Sequence, residues 1–243
     1  MSKCTKTVEL SKIKSIEIYK NTSKLTFQQI VEAKRPNIAI NGAYFNGLWQ
    51  AEGHVKANGV VLSSETWGTW GYAWNTGSDI QMAQIPCDKQ NYISCLDLVN
   101  PWDGADAPLI YDEKNIGGNR GRTAIGVGDN GLTILSIGDR TSDATTPEGV
   151  RDILLSAGCK TALELDSGSS SHSYIDGKYI LSDRLVVQTV VLIYLNEDEP
   201  KVPETKTLYR VQCGAFSKKE NAENLLVQLK GAGFTGFVTE VQI

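Results

Sequence analysis

Two carboxylates alternate along one apolar stretch of the sequence and offer the clearest chemistry in the chain. The segment Thr161 to Asp166 has the alternation of a strand, so Glu164 and Asp166 lie on one face and the leucines on the other. It runs into Ser167-Gly168-Ser169-Ser170-Ser171, whose N–H groups and hydroxyls can approach anionic oxygens closely. This arrangement is typical of a hydrolytic site, and a solvated strand end with a flexible serine loop is the alternative.

Three further side chains have types that could complete such a site. Arg122 carries a planar fork that can grip two phosphate oxygens, or it can form a structural ion pair with an acid such as Asp139. Asn41 ends an apolar strand, where it can hydrogen-bond a sugar hydroxyl or phosphate, or tie loops together. His172 follows the serine turn and can exchange protons near neutral pH, or simply be solvated.

Three segments, in this order along the chain, resemble motifs of the phosphodiester glycosidase family: Ala39-Ile40-Asn41-Gly42-Ala43-Tyr44-Phe45-Asn46, Gly121-Arg122-Thr123-Ala124-Ile125-Gly126-Val127 and Leu163-Glu164-Leu165-Asp166-Ser167-Gly168-Ser169-Ser170. The resemblance covers most of residues 35 to 195 and implies a strand-rich, mixed α/β catalytic domain. Two departures stand out: the family usually has Asn where this chain has Glu164, and Asp-Gly-Gly-Gly-Ser where this chain has Asp-Ser-Gly-Ser-Ser.

The resemblance implies hydrolysis of a sugar that is linked through its anomeric oxygen to a phosphodiester. Because the leaving phosphate is stable as an anion, such a reaction depends less on a general acid and more on a fixed cation or N–H donors. We expect Asp166 to activate water or stabilise the cationic sugar, with Glu164 as its acid–base partner and Arg122 and Asn41 beside them. We expect substrate contacts from Tyr44, Asn46, Thr123, Gly168, Ser169, Ser170 and His172.

The elements that position these residues are predicted from periodicity. Thr26 to Lys34 and Pro147 to Ala157 predict helices, the second capped by Thr145 or Thr146. Asp129-Asn130-Gly131 predicts a tight hairpin. The aromatic run Trp67 to Trp74 predicts either a sugar-stacking face or core. Alternating or β-branched segments predict strands at 15–19, 37–43, 59–62, 122–127, 132–137, 161–166 and 184–195.

An acidic, proline-containing segment divides the chain into two parts. Residues 196–206 cannot bury a face and predict a linker between a catalytic domain at 1–195 and a small module at 207–243. In that module, Leu208 to Phe216 predicts a strand and Lys218 to Ala232 a helix with apolar residues at helical spacing. A second strand at Thr235 to Val241 completes a predicted β-α-β unit.

This β-α-β pattern resembles the first half of a SPOR domain, a module that binds septal peptidoglycan strands lacking stem peptides. The resemblance implies peptidoglycan or a wall-attached glycopolymer as the partner. Because the second half is missing and the piece is small for an independent core, we expect two half-modules to pair in a homodimer. Packing of the tail on its own catalytic domain is the alternative.

Composition narrows the class of protein and its location. A net charge of −4 and a pI near 5.3 give no reason to expect nucleic acid as a partner. No apolar run reaches the length of a signal peptide or a membrane span, so we expect synthesis in the cytoplasm and no membrane insertion. We expect action at the bacterial cell wall after release, as in a phage endolysin.

No metal or other cofactor is required by any motif in the sequence. The five cysteines have no metal-ligand spacing and are expected to be reduced thiols. The acidic loop Asp103 to Asp106 offers carboxylates to calcium without the ordered spacing of a calcium loop.

The sequence leaves three functions open. The leading hypothesis is a cell-wall hydrolase that cleaves a sugar-1-phosphodiester, such as the bridge between teichoic acid and peptidoglycan. The alternatives are a peptidoglycan hydrolase that uses the same carboxylates on the glycan strand, and a non-catalytic peptidoglycan-binding protein.

Overall fold

A computed structural model describes residues 2–64, 69–196 and 213–240 of the chain. The chain divides into two compact units, Met1–Glu197 and Asp198–Ile243. Within the described ranges, no helix is both long enough and apolar enough to cross a membrane.

Strands dominate the first unit, and the helices are few. The α-helices of the described residues are α1 (Phe27–Lys34), α2 (Pro147–Ser156) and, in the second unit, α3 (Lys219–Gly231), and two single 3-10 turns lie at Leu10–Lys12 and Gly168–Ser170. The strands are β1 (Lys3–Val8), β2 (Ile13–Lys20), β3 (Ile38–Asn41), β4 (His54–Ala57), β5 (Val60–Ser64), β6 (Trp70–Trp74), β7 (Gln81–Gln84), β8 (Asn91–Ile93), β9 (Leu96–Val99), β10 (Arg122–Gly128), β11 (Gly131–Ile137), β12 (Cys159–Glu164), β13 (Ser173–Ile175), β14 (Lys178–Ile180) and β15 (Thr189–Leu195).

The described strands form three five-stranded sheets, with antiparallel pairing throughout. Their orders are β1-β11-β10-β12-β9, β14-β13-β3-β15-β2 and β5-β4-β8-β6-β7. One apolar cluster takes side chains from all three sheets, including Ile125, Ile40 and Trp74. Burying each such side chain contributes about 1.5–3 kcal/mol, so this shared core holds the sheets together. The mixed, strand-rich α/β class predicted from the sequence is confirmed.

Each helix of the first unit covers the outer face of one sheet. In α1, Phe27 and Ile30 join a cluster with Val190 and Leu192 of β15. Helix α2 packs on the sheet that contains β10 and β12, through residues such as Leu154. Of the two capping residues predicted for α2, Thr146 is the one that caps it. In α1 the Thr26 hydroxyl accepts from the Gln29 N–H in a capping box, which was not predicted.

The aromatic run of β6 belongs to the core. Tyr72 and Trp74 are fully buried, so they are not a sugar-stacking face. The Tyr72 hydroxyl donates to the Thr161 carbonyl at 2.9 Å, and the Trp74 indole N–H donates to the Ile16 carbonyl at 2.9 Å. Trp67 lies outside the described residues.

The strand predicted at 184–195 is shorter in the structure and begins at Thr189. The preceding residues leave the sheet because their carbonyls bond elsewhere. The Arg184 carbonyl accepts from the His172 ring, and the Val187 carbonyl accepts from the Asn21 amide. Residues 184–188 therefore form an irregular segment that reaches the end of β12.

The second unit contains α3, and its described residues are not buried. Residues 213–216 and 235–240 form no strand, so the β-α-β unit is reduced to a helix in the part that the structure describes. The rest of the two predicted strands, at 208–212 and 241, lies outside it. A strand needs a partner for its N–H and C=O groups, and the described residues of this unit, 213–240, pair in no sheet and leave Phe234 and Phe237 exposed.

Candidate functional site

The predicted carboxylates lie where two sheets meet at the end of β12. The Leu165 N–H donates to the Thr123 carbonyl at 2.8 Å, and the Asp166 N–H donates to the Gly42 carbonyl at 3.0 Å. Gly42 must be a glycine, since a Cβ there would lie 2.4 Å from the Thr189 hydroxyl. The first bond continues the pairing of the carboxylate strand with β10, and the second attaches its end to the chain just after β3.

Asn41 is the polar centre of this junction and is fully buried. Its amide donates to the Asp166 carbonyl at 2.7 Å. Its oxygen accepts from the Thr123 hydroxyl at 2.6 Å and from the His172 N–H at 2.9 Å. Asn41 and Thr123 thus lie next to Asp166, but in this structure both side chains connect strands instead of facing a ligand.

Arg122 and Glu164 form a buried ion pair with 2.6 Å between Nη1 and Oε1 and no exposure of either side chain. The other Arg122 donors reach the Thr145 carbonyl at 2.9 Å and the Gly118 carbonyl at 2.6 Å. Burial raises the pKa of Glu164, and the Arg122 guanidinium opposes that rise. Arg122 thus forms the structural ion pair that was the alternative in the sequence analysis, but its partner is Glu164 and not Asp139. Asp139 accepts a hydrogen bond from the Gly121 N–H.

Asp166 is the carboxylate of the pair that remains partly exposed. Its Oδ1 accepts from the Ser167 N–H at 2.8 Å. Burial raises the pKa of Asp166 to about 7, against the lowering effects of the Ser170 hydroxyl, the Ser167 N–H and the Arg184 charge. A carboxyl that titrates near neutral pH at a partly open position is suited to exchanging a proton with water or substrate.

The serine-containing turn after Asp166 is well formed. Gly168 has φ of +62°, a conformation that favours glycine, whereas Ser167 has φ of −126°. The chain therefore keeps the glycine that the backbone requires and replaces two that it does not, since neither Ser167 nor Ser169 has a positive φ. The Gly168 N–H donates to the Gly121 carbonyl at 2.8 Å, and the Ser169 carbonyl accepts from the Arg184 N–H at 2.9 Å.

Ser167 and Tyr44 connect the two carboxylates. The Ser167 hydroxyl donates to Glu164 Oε1, while its N–H donates to Asp166. Burial raises the pKa of Tyr44, and the charges of Glu164 and Asp166 act on it in the same direction. Tyr44 is therefore placed against the carboxylates, as a residue lining the site would be.

Two of the expected substrate residues have other tasks in the structure. Asn46 organises a turn, since its oxygen accepts from the N–H groups of Leu48 at 2.9 Å and Gln50 at 3.2 Å. His172 is fully buried and stacks on Phe27 with 5.3 Å between ring centroids.

Both ring nitrogens of His172 are bonded to the backbone. Its Nδ1 accepts from the Ser182 N–H at 3.1 Å, so Nε2 carries the proton and donates to the Arg184 carbonyl at 2.5 Å. Burial lowers the pKa of His172, which keeps the ring neutral. The histidine thus positions the segment 182–184 beside the serine turn.

Arg184 is the main site residue that sequence reasoning missed. It is exposed, its backbone is bonded to Ser169 and His172, and its charge lowers the pKa of Asp166. Its position in an irregular segment gave no periodic signal. The alternation of the residues that follow predicted that Arg184 would begin the strand 184–195, whereas β15 begins at Thr189.

The described residues contain no group of three or more His, Cys, Asp or Glu arranged to hold a metal ion. In the acidic loop considered for calcium, the Asn100 amide donates to Asp103 at 3.0 Å and to Asp97 at 2.6 Å. These carboxylates are thus bonded within the protein.

Comparison with known proteins identifies both parts of the chain. A model of the phosphodiester glycosidase family matches residues 34–194, and a model of the SPOR domain matches residues 194–242. No curated protein matches the sequence.

Solved structures share the fold of the first unit at low sequence identity. A hypothetical protein from Synechocystis superposes with a TM-score of 0.64 at 12% identity, covering 80% of this chain and 59% of that one. The zebrafish N-acetylglucosamine-1-phosphodiester alpha-N-acetylglucosaminidase catalytic domain, auto-inhibited by its pro-peptide, gives 0.60 at 13% identity, covering 80% and 88%. A putative exported protein from Burkholderia pseudomallei gives 0.52 at 10% identity, covering 74% and 71%.

Proposed function

We propose, because the chain belongs to the phosphodiester glycosidase family, that it hydrolyses a sugar-1-phosphodiester in the bacterial cell wall. The observation that carries this proposal is Asp166, a partly exposed carboxyl with a pKa of about 7 beside a turn of small residues. Glu164 is fully buried and paired, so Asp166 is the carboxylate that can reach a substrate.

The proposed reaction needs one carboxylate and an anion site. Water attacks the anomeric carbon and gives its proton to the ionised Asp166 carboxylate. The bond between the anomeric carbon and the phosphate oxygen breaks, and the phosphomonoester leaves with the electron pair. The turn Gly168–Ser170 lies beside Asp166, and the N–H groups of Gly168 and Ser170 are bonded within the protein, so Ser169 is the residue of the turn that we expect to donate its N–H and hydroxyl to the phosphate oxygens. Glu164, Arg122, Asn41 and Thr123 position the strand end that carries Asp166.

The SPOR match supports the cell wall as the place of action. SPOR domains bind peptidoglycan, so the second unit is expected to bring the enzyme to that polymer. The sugar-1-phosphate bridge between teichoic acid and muramic acid has the linkage that the catalytic family cleaves, on the polymer that the module binds. We propose this bridge as the substrate and an endolysin-like release to the wall as the biological setting.

A homodimer through the SPOR-like unit remains a proposal. Phe216, Phe234 and Phe237 are exposed in the described part of that unit, and pairing with a second copy would cover them. Light scattering over a concentration series tests this directly, and a monomer at every concentration contradicts it.

The function is tested by the products released from purified Gram-positive cell walls that carry teichoic acid. We expect free polymer in solution and muramic acid 6-phosphate in the residual peptidoglycan, and neither product with Asp166→Asn. New reducing ends within the glycan, without muramic acid 6-phosphate, would instead support a peptidoglycan hydrolase. Wall binding without any product would support a non-catalytic binding protein.

A further inference from the structure

Four side chains next to the site form a continuous surface that we call the cation–aromatic ridge: Arg184, Phe45, Trp49 and Lys24. The Arg184 guanidinium lies 5.3 Å from the centre of the Phe45 ring. Phe45 meets Trp49 edge to face, with 5.1 Å between ring centroids. The Lys24 ammonium lies 5.4 Å from the Trp49 ring centre. A cation thus stands at each end of a pair of aromatic rings.

The ridge is held in place at a cost in backbone strain. Lys24 has φ of +52° and Trp49 has φ of +63°, a region that bulky side chains rarely adopt. Each such residue costs about 1–3 kcal/mol, and strain of this kind is concentrated at functional sites. The two strained residues, Lys24 and Trp49, are the pair that form the ammonium–indole contact. This coincidence makes the ridge a candidate binding surface.

Buried Asn21 joins the two strained turns. Its amide donates to the Leu25 carbonyl at 2.7 Å and to the Val187 carbonyl at 2.9 Å, and its oxygen accepts from the Leu25 N–H at 2.9 Å. The Trp49 indole donates to the Asn21 carbonyl at 3.0 Å. The turn with Lys24 and the ring of Trp49 are therefore fixed to one fully buried residue.

The other end of the ridge is fixed beside Asp166. The backbone of Arg184 is held by His172 and Ser169 at 2.5 and 2.9 Å. Its charge reaches Asp166 and lowers the pKa of that carboxyl. The ridge therefore begins at Arg184, whose backbone is bonded to the turn that follows Asp166, and ends at Lys24.

Both cations of the ridge are available to an anion. Within residues 2–64, 69–196 and 213–240, neither Arg184 nor Lys24 forms an ion pair. A guanidinium stacked on a ring keeps its N–H donors free in its own plane, where they match two phosphate oxygens. Since the chain is negative overall, these local charges are needed to admit an anionic polymer.

We propose that the cation–aromatic ridge binds a polymer with repeating phosphodiesters, extending from the linkage that Asp166 hydrolyses. Arg184 holds the phosphate next to Asp166, Lys24 holds a later phosphate, and the two rings cover the carbon skeleton between them. This inference rests on the proposed function and names the part of its substrate that lies beyond the scissile bond. It gives to Arg184 the phosphate-binding role that buried Arg122 cannot fill.

Calorimetric titration of a synthetic glycerol phosphate hexamer into the full chain tests the ridge, with Asp166→Asn as the background to prevent turnover. We expect Lys24→Gln and Arg184→Gln each to raise the Kd for the hexamer about tenfold, because each removes one charge-assisted hydrogen bond to a phosphate. Added salt should weaken binding to the background protein more than to either variant. Lys56→Gln is the matched control, because Lys56 lies 5.6 Å from the Tyr92 ring centre in another sheet.

If neither Lys24→Gln nor Arg184→Gln changes the Kd for the hexamer, the proposed role of the ridge is overturned. Binding of neutral chitotetraose in preference to the hexamer would overturn it too, and would favour a glycan surface. The outcome is separable from that of the proposed function. If the ridge variants lose the hexamer while the wild type hydrolyses no sugar phosphodiester, the ridge stands and the proposed reaction fails.

Discussion

We expect Asp166→Asn to lower kcat for a sugar phosphodiester by at least about 10³-fold, because the amide cannot take the proton of the attacking water. The same variant should unfold less readily than the wild type at pH 8. The reason is the pKa of Asp166, which is raised to about 7 in the folded protein, chiefly by burial, from an ordinary value of 3.8. A loss of activity with a gain in stability separates a strained functional group from a structural one.

The direction of the stability change follows from proton binding. Between pH 4 and pH 7 the folded protein holds a proton on Asp166 that the unfolded chain has released, so the stability falls as the pH rises through this window. Above pH 7 the full cost of the buried charge is present. Asparagine carries no charge and so removes this cost. We expect the free energy of unfolding at pH 8 to rise by about 1–2 kcal/mol, after allowance for partial exposure of the carboxyl.

Urea unfolding of both proteins at pH 5 and pH 8, together with kcat, measures these effects. The stability gain should be clearly larger at pH 8 than at pH 5. An Asp166→Asn protein that keeps wild-type kcat, or that gains nothing at pH 8, contradicts the role given to Asp166.

Breaking the buried ion pair should have the largest effect on stability. Arg122→Met leaves the Glu164 carboxylate buried without its partner, and Glu164→Leu does the same to the guanidinium. Each single change should cost about 3–5 kcal/mol in the free energy of unfolding. The double variant should cost less than the sum of the two, since neither charge remains.

The matched control for the ion pair is Arg140→Met. Arg140 pairs with Asp183 at 2.6 Å, but its side chain is 77% exposed. Such surface pairs are worth about 0–1 kcal/mol, so the control should unfold almost like the wild type. If Arg122→Met is equally stable yet fails to bind inorganic phosphate that the wild type binds, Arg122 is a phosphate ligand after all.

The sequence predicted the parts of the fold that depend on local pattern. Alternation predicted a strand at 161–166, and the structure has β12 at Cys159–Glu164, which contains Glu164 and ends two residues before Asp166. The β-branched runs located β10 and β11 around their hairpin. Capping residues located the start of α2. The three-residue strands β13 and β14 are too short for a periodic signal, and they form because β3 offers an edge to pair with.

The site was predicted less completely, because its geometry depends on which strands pair. Arg122 can reach Glu164 only because β10 and β12 are neighbours, with Glu164 opposite Ala124, and no local pattern predicts that pairing. The motif that contains Phe45 gave no sign that Arg184, far along the chain, would stack on it. Trp49 and Lys24 are brought together by bonds from Asn21 to the Trp49 indole and to the turn that contains Lys24. The sequence did not predict that Asn21 would be buried between them.

The most direct test of the central claim is the release of free sugar from a synthetic N-acetylglucosamine-1-phosphodiester by the full wild-type chain, measured from pH 5 to pH 9. We expect release with a kcat/KM that rises through about pH 7, as the Asp166 carboxyl ionises. No release at any pH, from a folded protein that still binds purified peptidoglycan, would contradict a phosphodiester glycosidase activity.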